Sequence, residues 1–222
     1  MSEILKTNQK FSATLKEKLN LKLEAVAIKF TNELPNGFSK IDETIRHCKM
    51  VKDAALGEIF YSTKDEQACK GGSATLGLED FPEKLVSGET YFKLGRFKDI
   101  ETSKKTIGGV SKIDENHEYI LYSPLKDADF TPDVVVIISE PVTGMKIAQS
   151  IVYSTGQRVN ASFAGIQSLC GDIVASPYNT GETNFSLGCD GSRKFAPLEN
   201  EELSIGINYN NLEEIVNNLN SF

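Results

Sequence analysis

The chain has no tryptophan, only two histidines and no cysteine pair spaced closely enough to form a metal hook. It also lacks positive charge: 24 Lys and Arg against 31 Asp and Glu leave a net charge of −7. Each absence narrows the reading. An acidic chain lacks the cationic surface on which nucleic-acid binding depends. No apolar run approaches the roughly 18 residues needed to span a bilayer, and the best, Val134–Ile138, has strand length. The first ten residues carry Glu3 and Lys6 and no apolar stretch, so a secretory leader is not expected. No phosphate-loop pattern, Gly-x-Ser-x-Gly elbow or His-Glu-x-x-His occurs in the sequence. His47 and His117 give no Ser-His-Asp arrangement a clear base, and both read as surface residues. A two-carboxylate site is neither located nor excluded by the scattered acids.

What is present is an ordinary globular composition, 40% hydrophobic and 25% charged, over 222 residues. That length suits one domain able to bury a core without staples, with an N-terminal helix over 1–20 and a main body over 21–222. Ile4, Leu5, Phe11, Leu15 and Leu19 recur at helical spacing. Strands are expected at 25–30, 58–62, 119–124, 133–139, 184–189 and 203–207. A helix is expected over 42–56, with Ile41, Ile45, Cys48 and Ala55 on its apolar stripe. Pro35-Asn36-Gly37 reads as a break, Asp80 and Pro82 as a helix start, and 88–109 as short helices and loops. Pro141 opens a further helix and Gly156 closes it. A buried helix is expected over 163–174, a loop over 177–181, and a last helix capped by Asn210 or Asn211. Alternating strands and helices point to an α/β or α+β fold with a mixed β-sheet and flanking helices. The stretches from Val26 to Gly72 and from Val134 to Gly171 share a strand, a helix and a Gly-containing cysteine segment, which suggests a loose internal duplication.

The chemistry concentrates in four cysteines, Cys48, Cys69, Cys170 and Cys189. Without a leader, the expected setting is the reducing cytoplasm, where cysteines are free, reactive or metal-bound rather than paired. Cys69 precedes Lys70, Gly71 and Gly72, and a helix starting near Ser73 would place free N–H groups and the helix dipole beside the thiol. Cys189 lies in the flexible-looking segment Gly188-Cys189-Asp190-Gly191, followed by Arg193 and Lys194. Cys69 and Cys189 are therefore the candidate metal ligands, with Gly71, Gly72, Gly191 and Arg193 as candidate cofactor-binding residues. Cys48 reads as a small core residue. Cys170, before Gly171 and Asp172, reads as a helix C-terminus that does not favour a thiolate.

Taken together, Cys69-Lys70-Gly71-Gly72-Ser73-Ala74 with Leu76-Gly77-Leu78, Pro132-Asp133-Val134-Val135, Gly188-Cys189-Asp190-Gly191-Ser192-Arg193 and Gly206-Ile207 resemble a prokaryotic family. That family is domain of unknown function 169, found in archaea and anaerobic bacteria. The resemblance runs from about Leu23 to Leu219, and departs from the pattern at Asn208, where the family carries proline. It implies a cytoplasmic single-domain protein whose cysteine segments form the site, and supplies no activity.

Three functions follow. One is a binding protein holding an iron–sulfur cluster, zinc or a small anionic ligand at the Gly-flanked cysteines. Another is a thiol-dependent enzyme with Cys69 as nucleophile and Arg193 on an anionic substrate. The third is a non-catalytic sensing or scaffold module with structural cysteines. A small-molecule or metal partner is expected, nucleic acid and membrane are not, and a homo-oligomer stays open.

Overall fold

The computed structural model describes residues 1–34 and 36–221. Pro35, placed in the expected break, lies outside them. The elements run α1 (Glu3–Leu19), β1 (Val26–Thr31), α2 (His47–Ala55), β2 (Phe60–Ser62), α3 (Lys70–Thr75), α4 (Glu83–Val86), α5 (Glu89–Lys93), α6 (Ile100–Gly108) and β3 (Tyr119–Pro124). They continue with β4 (Val134–Ser139), α7 (Pro141–Thr155), a π-helix (Ser168–Ala175), α8 (Ser176–Thr180), β5 (Asn184–Ser186), α9 (Asp190–Phe195), β6 (Leu203–Asn208) and α10 (Leu212–Leu219).

Local chemistry explains the long helices. The Ser2 side chain accepts from the Leu5 N–H at the start of α1, Glu3 sits in its first turn, and Lys16 and Lys18 sit in its last. Those placements satisfy an orphan donor and complement the helix dipole. Pro141 opens α7, and Gly156 closes it at φ +64°.

The six strands form one sheet in the order β2-β3-β1-β4-β6-β5. The class is the expected mixture of helix and sheet, but every pairing between these strands is antiparallel rather than mixed. Strand β4 lies in the interior of the sheet, and its run of apolar residues is buried on both faces. On one face Val134, Val136, Ile28 and Tyr122 pack against Met50 and Val51 of α2 and Leu169 and Ile173 of the π-helix. On the other, Val135, Ile137, Ile205 and Ile207 pack against Leu15, Ile147 and Ile215 of α1, α7 and α10.

The sheet is built from two equivalent halves. In the first, β3 pairs with both β1 and β2; in the second, β6 pairs with both β4 and β5. The halves meet at the antiparallel β1–β4 pair. The expected duplication therefore has a topological counterpart in a different register. The units are β1-α2-β2-α3-β3 and β4-(π-helix)-β5-α9-β6, so Cys69 corresponds to Cys189 rather than to the segment ending at Gly171, and Cys48 corresponds to Cys170. Each half also carries an insertion. The first has α4, α5 and α6 between α3 and β3, and the second has α7 before the π-helix.

Four expectations shift. Helix α2 begins at His47 rather than near residue 42, because Ile45 is held in an extended bridge. Its N–H donates to the Glu66 carbonyl at 3.0 Å and its carbonyl accepts from the Ala68 N–H at 2.9 Å. Helix α3 begins at Lys70, so Gly71 and Gly72 lie inside it. The expected loop over 177–181 and the flexible-looking segment 188–191 instead run into the short helices α8 and α9. The buried helix over 163–174 starts only at Ser168, after Gln167 at φ +47°.

Candidate functional site

The bridge at Ile45 has a direct consequence for the cysteines. By tying residue 45 to residue 67 it sets Cys48, the second residue of α2, close to Cys69, which caps α3. In the second half the π-helix carries Cys170 and α9 is capped by Cys189. Helix α2 packs on α9 and α3 packs on the π-helix, so each half closes on the other. All four cysteines consequently line one cavity of about 580 Å³.

The four thiols fall into two matched arrangements. At one end, a β-carbon built at Gly72 would lie 3.6 Å from Cys69 Sγ and 3.8 Å from Cys170 Sγ. At the other, a β-carbon at Gly191 would lie 3.6 Å from Cys189 Sγ, and Cys48 Sγ approaches the Gly191 carbonyl at 4.0 Å. Gly72 thus leaves open the space between Cys69 and Cys170 that a side chain would enter, and Gly191 the space between Cys189 and Arg46. Each capping thiol accepts a backbone hydrogen bond at 3.4 Å, from the Gly72 N–H to Cys69 and from the Ser192 N–H to Cys189. None of the four is in a disulfide.

Their protonation differs with surroundings. Burial pushes the Cys48 thiol up to about 12, with the Cys189 and Cys69 sulfurs adding to the shift. Burial also drives Cys170 well above its ordinary value, so this thiol stays protonated because it is desolvated, not because it ends a helix. Cys170 is in fact the third residue of the π-helix. Burial acts the same way on Cys189, but hydrogen bonds from the side chains and backbone of Ser168 and Ser192 outweigh it and hold that thiol below its usual value. The two serine hydroxyls stand 3.2 Å apart, and Ser192 Oγ also accepts from the Cys189 N–H at 2.9 Å.

Beneath the cysteines lies a buried polar chain absent from the sequence reading. His47 is not a surface residue; its Nδ1 is 2.9 Å from Tyr122 Oη. Gln67 Nε2 donates to Ser62 Oγ at 3.0 Å and lies 3.5 Å from the same phenol. Burial lowers His47 to about 3, partly opposed by the Leu169 backbone, and its Nε2 makes no hydrogen bond of normal geometry. His117, expected to be solvated, packs 5.2 Å from the Phe30 ring. The signal that could have revealed His47 is its place next to Cys48 on an apolar stripe.

Arg193 takes a different place from the one anticipated. Its guanidinium donates to the carbonyls of Leu187 at 2.6 Å and Glu202 at 2.8 Å, and also to Glu199, so it braces the α9–β6 connection outside the cavity lining. The cations that line the cavity are Arg46, Lys70, Arg96 and Lys194. Gly71, Gly72 and Gly191 line it as well.

Asp172, on the π-helix, sets a pH dependence. Burial pushes its carboxyl up to about 7, partly opposed by the Ser186 hydroxyl, which donates to Oδ2 at 2.8 Å. The folded state therefore keeps this proton up to about pH 7, whereas the unfolded chain releases it near 3.8. Its contribution to stability is present below pH 3.8 and lost as pH rises through 7. His47 acts oppositely, losing stability as pH falls from 6.5 towards about 3. Asp172→Asn is expected to gain about 2 kcal/mol over the unsubstituted chain at pH 8 and nothing at pH 4. Urea unfolding at the two pH values checks this, and an equal effect at both would remove the buried-proton account.

Fold and site together define a class: a helix-covered antiparallel sheet of two equivalent halves, with one cysteine-lined cavity between their capping helices. The chain belongs to the family called domain of unknown function 169, described as "Uncharacterised ArCR", whose model matches residues 14–218. It is similar to the uncharacterized protein MJ0308 of Methanocaldococcus jannaschii, with 40% identity over 213 residues, covering 94% of this chain and 91% of the relative. No solved structure matches the chain. Among the described residues, no helix is long and apolar enough to cross a membrane. Among them too, no group of three or more His, Cys, Asp or Glu side chains is placed to hold a metal ion.

Proposed function

We propose that the protein binds an iron–sulfur cluster through Cys48, Cys69, Cys170 and Cys189. One observation carries the reading: four free cysteines, two from each equivalent half, line a single cavity as matched pairs. Sets of four thiolates are the usual ligands of such clusters. A single zinc ion needs its sulfurs drawn to about 2.3 Å around one point, a tighter set than any among the described residues. A cluster places several irons between its thiolates and so takes ligands that stand farther apart. The buried thiols support the reading energetically. Cys48 and Cys170 resist ionisation when alone, and iron would replace their protons with a soft cation. Gly72 leaves room between the Cys69 and Cys170 sulfurs.

The test is anaerobic reconstitution of the reduced full chain with ferrous iron and sulfide, followed by desalting. The expected product retains iron and acid-labile sulfide in equal amounts, with broad visible absorption. Cys69→Ser and Cys189→Ser, checked for native circular dichroism, should each lose most of both. A desalted chain without iron, folded variants that retain as much as the parent, or stoichiometric zinc uptake in place of iron would overturn the proposal.

A second reading, a thiol-dependent enzyme, is favoured by the lowered Cys189 alone. It moves the nucleophile from Cys69 to Cys189, where Ser168 and Ser192 stabilise the thiolate.

A further inference from the structure

The cavity is larger and less symmetric than four thiols require. Its volume of about 580 Å³ falls in the range of small-molecule sites, roughly 300–1,000 Å³. The excess lies towards the insertion that only the first half possesses. Between α3 and β3 the chain runs through α4, α5 and α6, whereas only residues 196–202 join α9 to β6. Leu85, Tyr91 and Leu94 from this insertion line the cavity, and Ile166 and Phe195 line it as well. Leu94 is 61% exposed and Phe195 40% exposed, so apolar surface stands open to solvent there.

Polar groups on the same walls keep spare hydrogen-bonding or charge capacity. Gln167 is 95% buried, and its backbone is held at φ +47°, a conformation that costs a non-glycine residue about 1 kcal/mol or more. The Thr75 hydroxyl lies 3.0 Å from its Oε1 and 2.7 Å from the Gly71 carbonyl, and Nε2 is on the other side of the amide. There Nε2 makes no hydrogen bond of normal geometry, with the Tyr91 hydroxyl as a polar neighbour. A buried amide donor left unmet costs about 1–3 kcal/mol, which an acceptor on a ligand would recover. The Arg46 guanidinium lies 3.8 Å above the Phe195 ring, and Lys194 Nζ lies 5.4 Å from the same ring. Among the described residues, neither cation pairs with a carboxylate, although the chain as a whole has an acidic excess.

We infer that this part of the cavity is a subsite for a small organic carboxylate with an apolar body. The body would lie among Leu85, Leu94, Ile166 and Phe195. One carboxylate oxygen would accept from Gln167 Nε2, and Arg46 on the cavity wall would supply the counter-charge. The subsite abuts the thiols but does not depend on a bound cluster.

The test therefore uses the reduced, metal-free full chain and reads ligand binding directly, by NMR titration with benzoate, 3-phenylpropionate and hexanoate. Benzyl alcohol is the uncharged control. At least one carboxylate should bind with a Kd of about 1 mM or tighter, and benzyl alcohol at least tenfold more weakly. Arg46→Gln and Gln167→Leu should each weaken the carboxylate at least tenfold, and Arg158→Gln, a surface change elsewhere, should have no effect. Arg46→Lys keeps the charge, should retain part of the affinity, and guards against misfolding of the first variant. Failure of all three carboxylates, equal binding of the alcohol, or unaltered binding by the folded Arg46→Gln and Gln167→Leu variants would overturn the inference. Iron retention after reconstitution is measured separately, so loss of the cluster reading leaves this result standing, and the reverse.

Discussion

Gly206→Ala is expected to cost the chain about 3 kcal/mol or more, enough to unfold it under mild conditions. Gly206 sits in β6 between Val136 of β4 and Asn184 of β5. Its neighbours Ile205 and Ile207 face α7 and α10, so position 206 faces the π-helix. A β-carbon there would enter the van der Waals shell of the Ile173 carbonyl oxygen, 2.7 Å from the carbonyl carbon and 2.9 Å from Pro177 Cγ. The obstacle is the Ile173 main chain together with the Pro177 ring. No rotamer relieves it, and either the π-helix lifts or the sheet parts. Lifting the π-helix also moves Cys170, so any folded fraction should have an altered cysteine cavity. Gly144→Ala is the comparison: the nearest atoms to its β-carbon would be Leu203 side-chain carbons at 3.4 and 3.6 Å and a Phe185 ring carbon at 3.8 Å, all ordinary contacts. Inside helix α7, alanine should be neutral or stabilising by about 0.5–1 kcal/mol. Urea unfolding of the two variants decides the matter, and a Gly206→Ala protein as stable as its parent would mean that the π-helix is not seated on β6.

Alkylation of the metal-free protein should rank the thiols by surroundings, with Cys189 reacting at least about a hundredfold faster than Cys48 at pH 7.5. The thiolate is the nucleophile. Cys189 is held below its ordinary value by Ser168 and Ser192, whereas Cys48 is pushed up to about 12. A gap of three or more pH units is about a thousandfold in thiolate fraction, partly offset because a more basic thiolate is intrinsically more nucleophilic. The pH profiles carry the sign. The Cys189 rate should level off at a lower pH than that of Cys48, which should still be climbing at pH 9. Ser192→Ala removes the hydroxyl from the pair and should move the Cys189 profile to higher pH. Mass spectrometry of iodoacetamide-treated protein separates the sites, and equal rates at Cys48 and Cys189 would refute this electrostatic account.

Much of the fold was legible because its signals are local. The helical spacing of Phe11, Leu15 and Leu19 in α1, Pro141 and Gly156 around α7, and the apolar run of β4 each act within a few residues. The errors arose where distant chain overrode local pattern. Ile41 and Ile45 continue the helical stripe of Cys48, yet Ile45 spends its backbone hydrogen bonds on residues 66 and 68. Gly71, Gly72 and Gly191 suggest loops by propensity, but they lie within helices capped by cysteine sulfur, an uncommon cap in place of Ser, Asp or Asn. Arg193 resembled an anion site because it follows Cys189, and only the path of β6 supplies the carbonyls that occupy it.

By itself, the sequence determined the order of most strands and long helices, the burial of β4, and which four residues carry thiol chemistry, since these depend on composition and short-range periodicity. Tertiary structure alone decided that Cys48 and Cys170 join Cys69 and Cys189 around one cavity. It also decided that Ser168 and Ser192 lower the proton affinity of Cys189, and that Arg46 rather than Arg193 lines the cavity. The physical reason is common to all three. Convergence across 19 to 141 residues of chain is set by how two halves pair at β1 and β4, and proton affinity is set by desolvation and hydrogen bonds that exist only once those halves close.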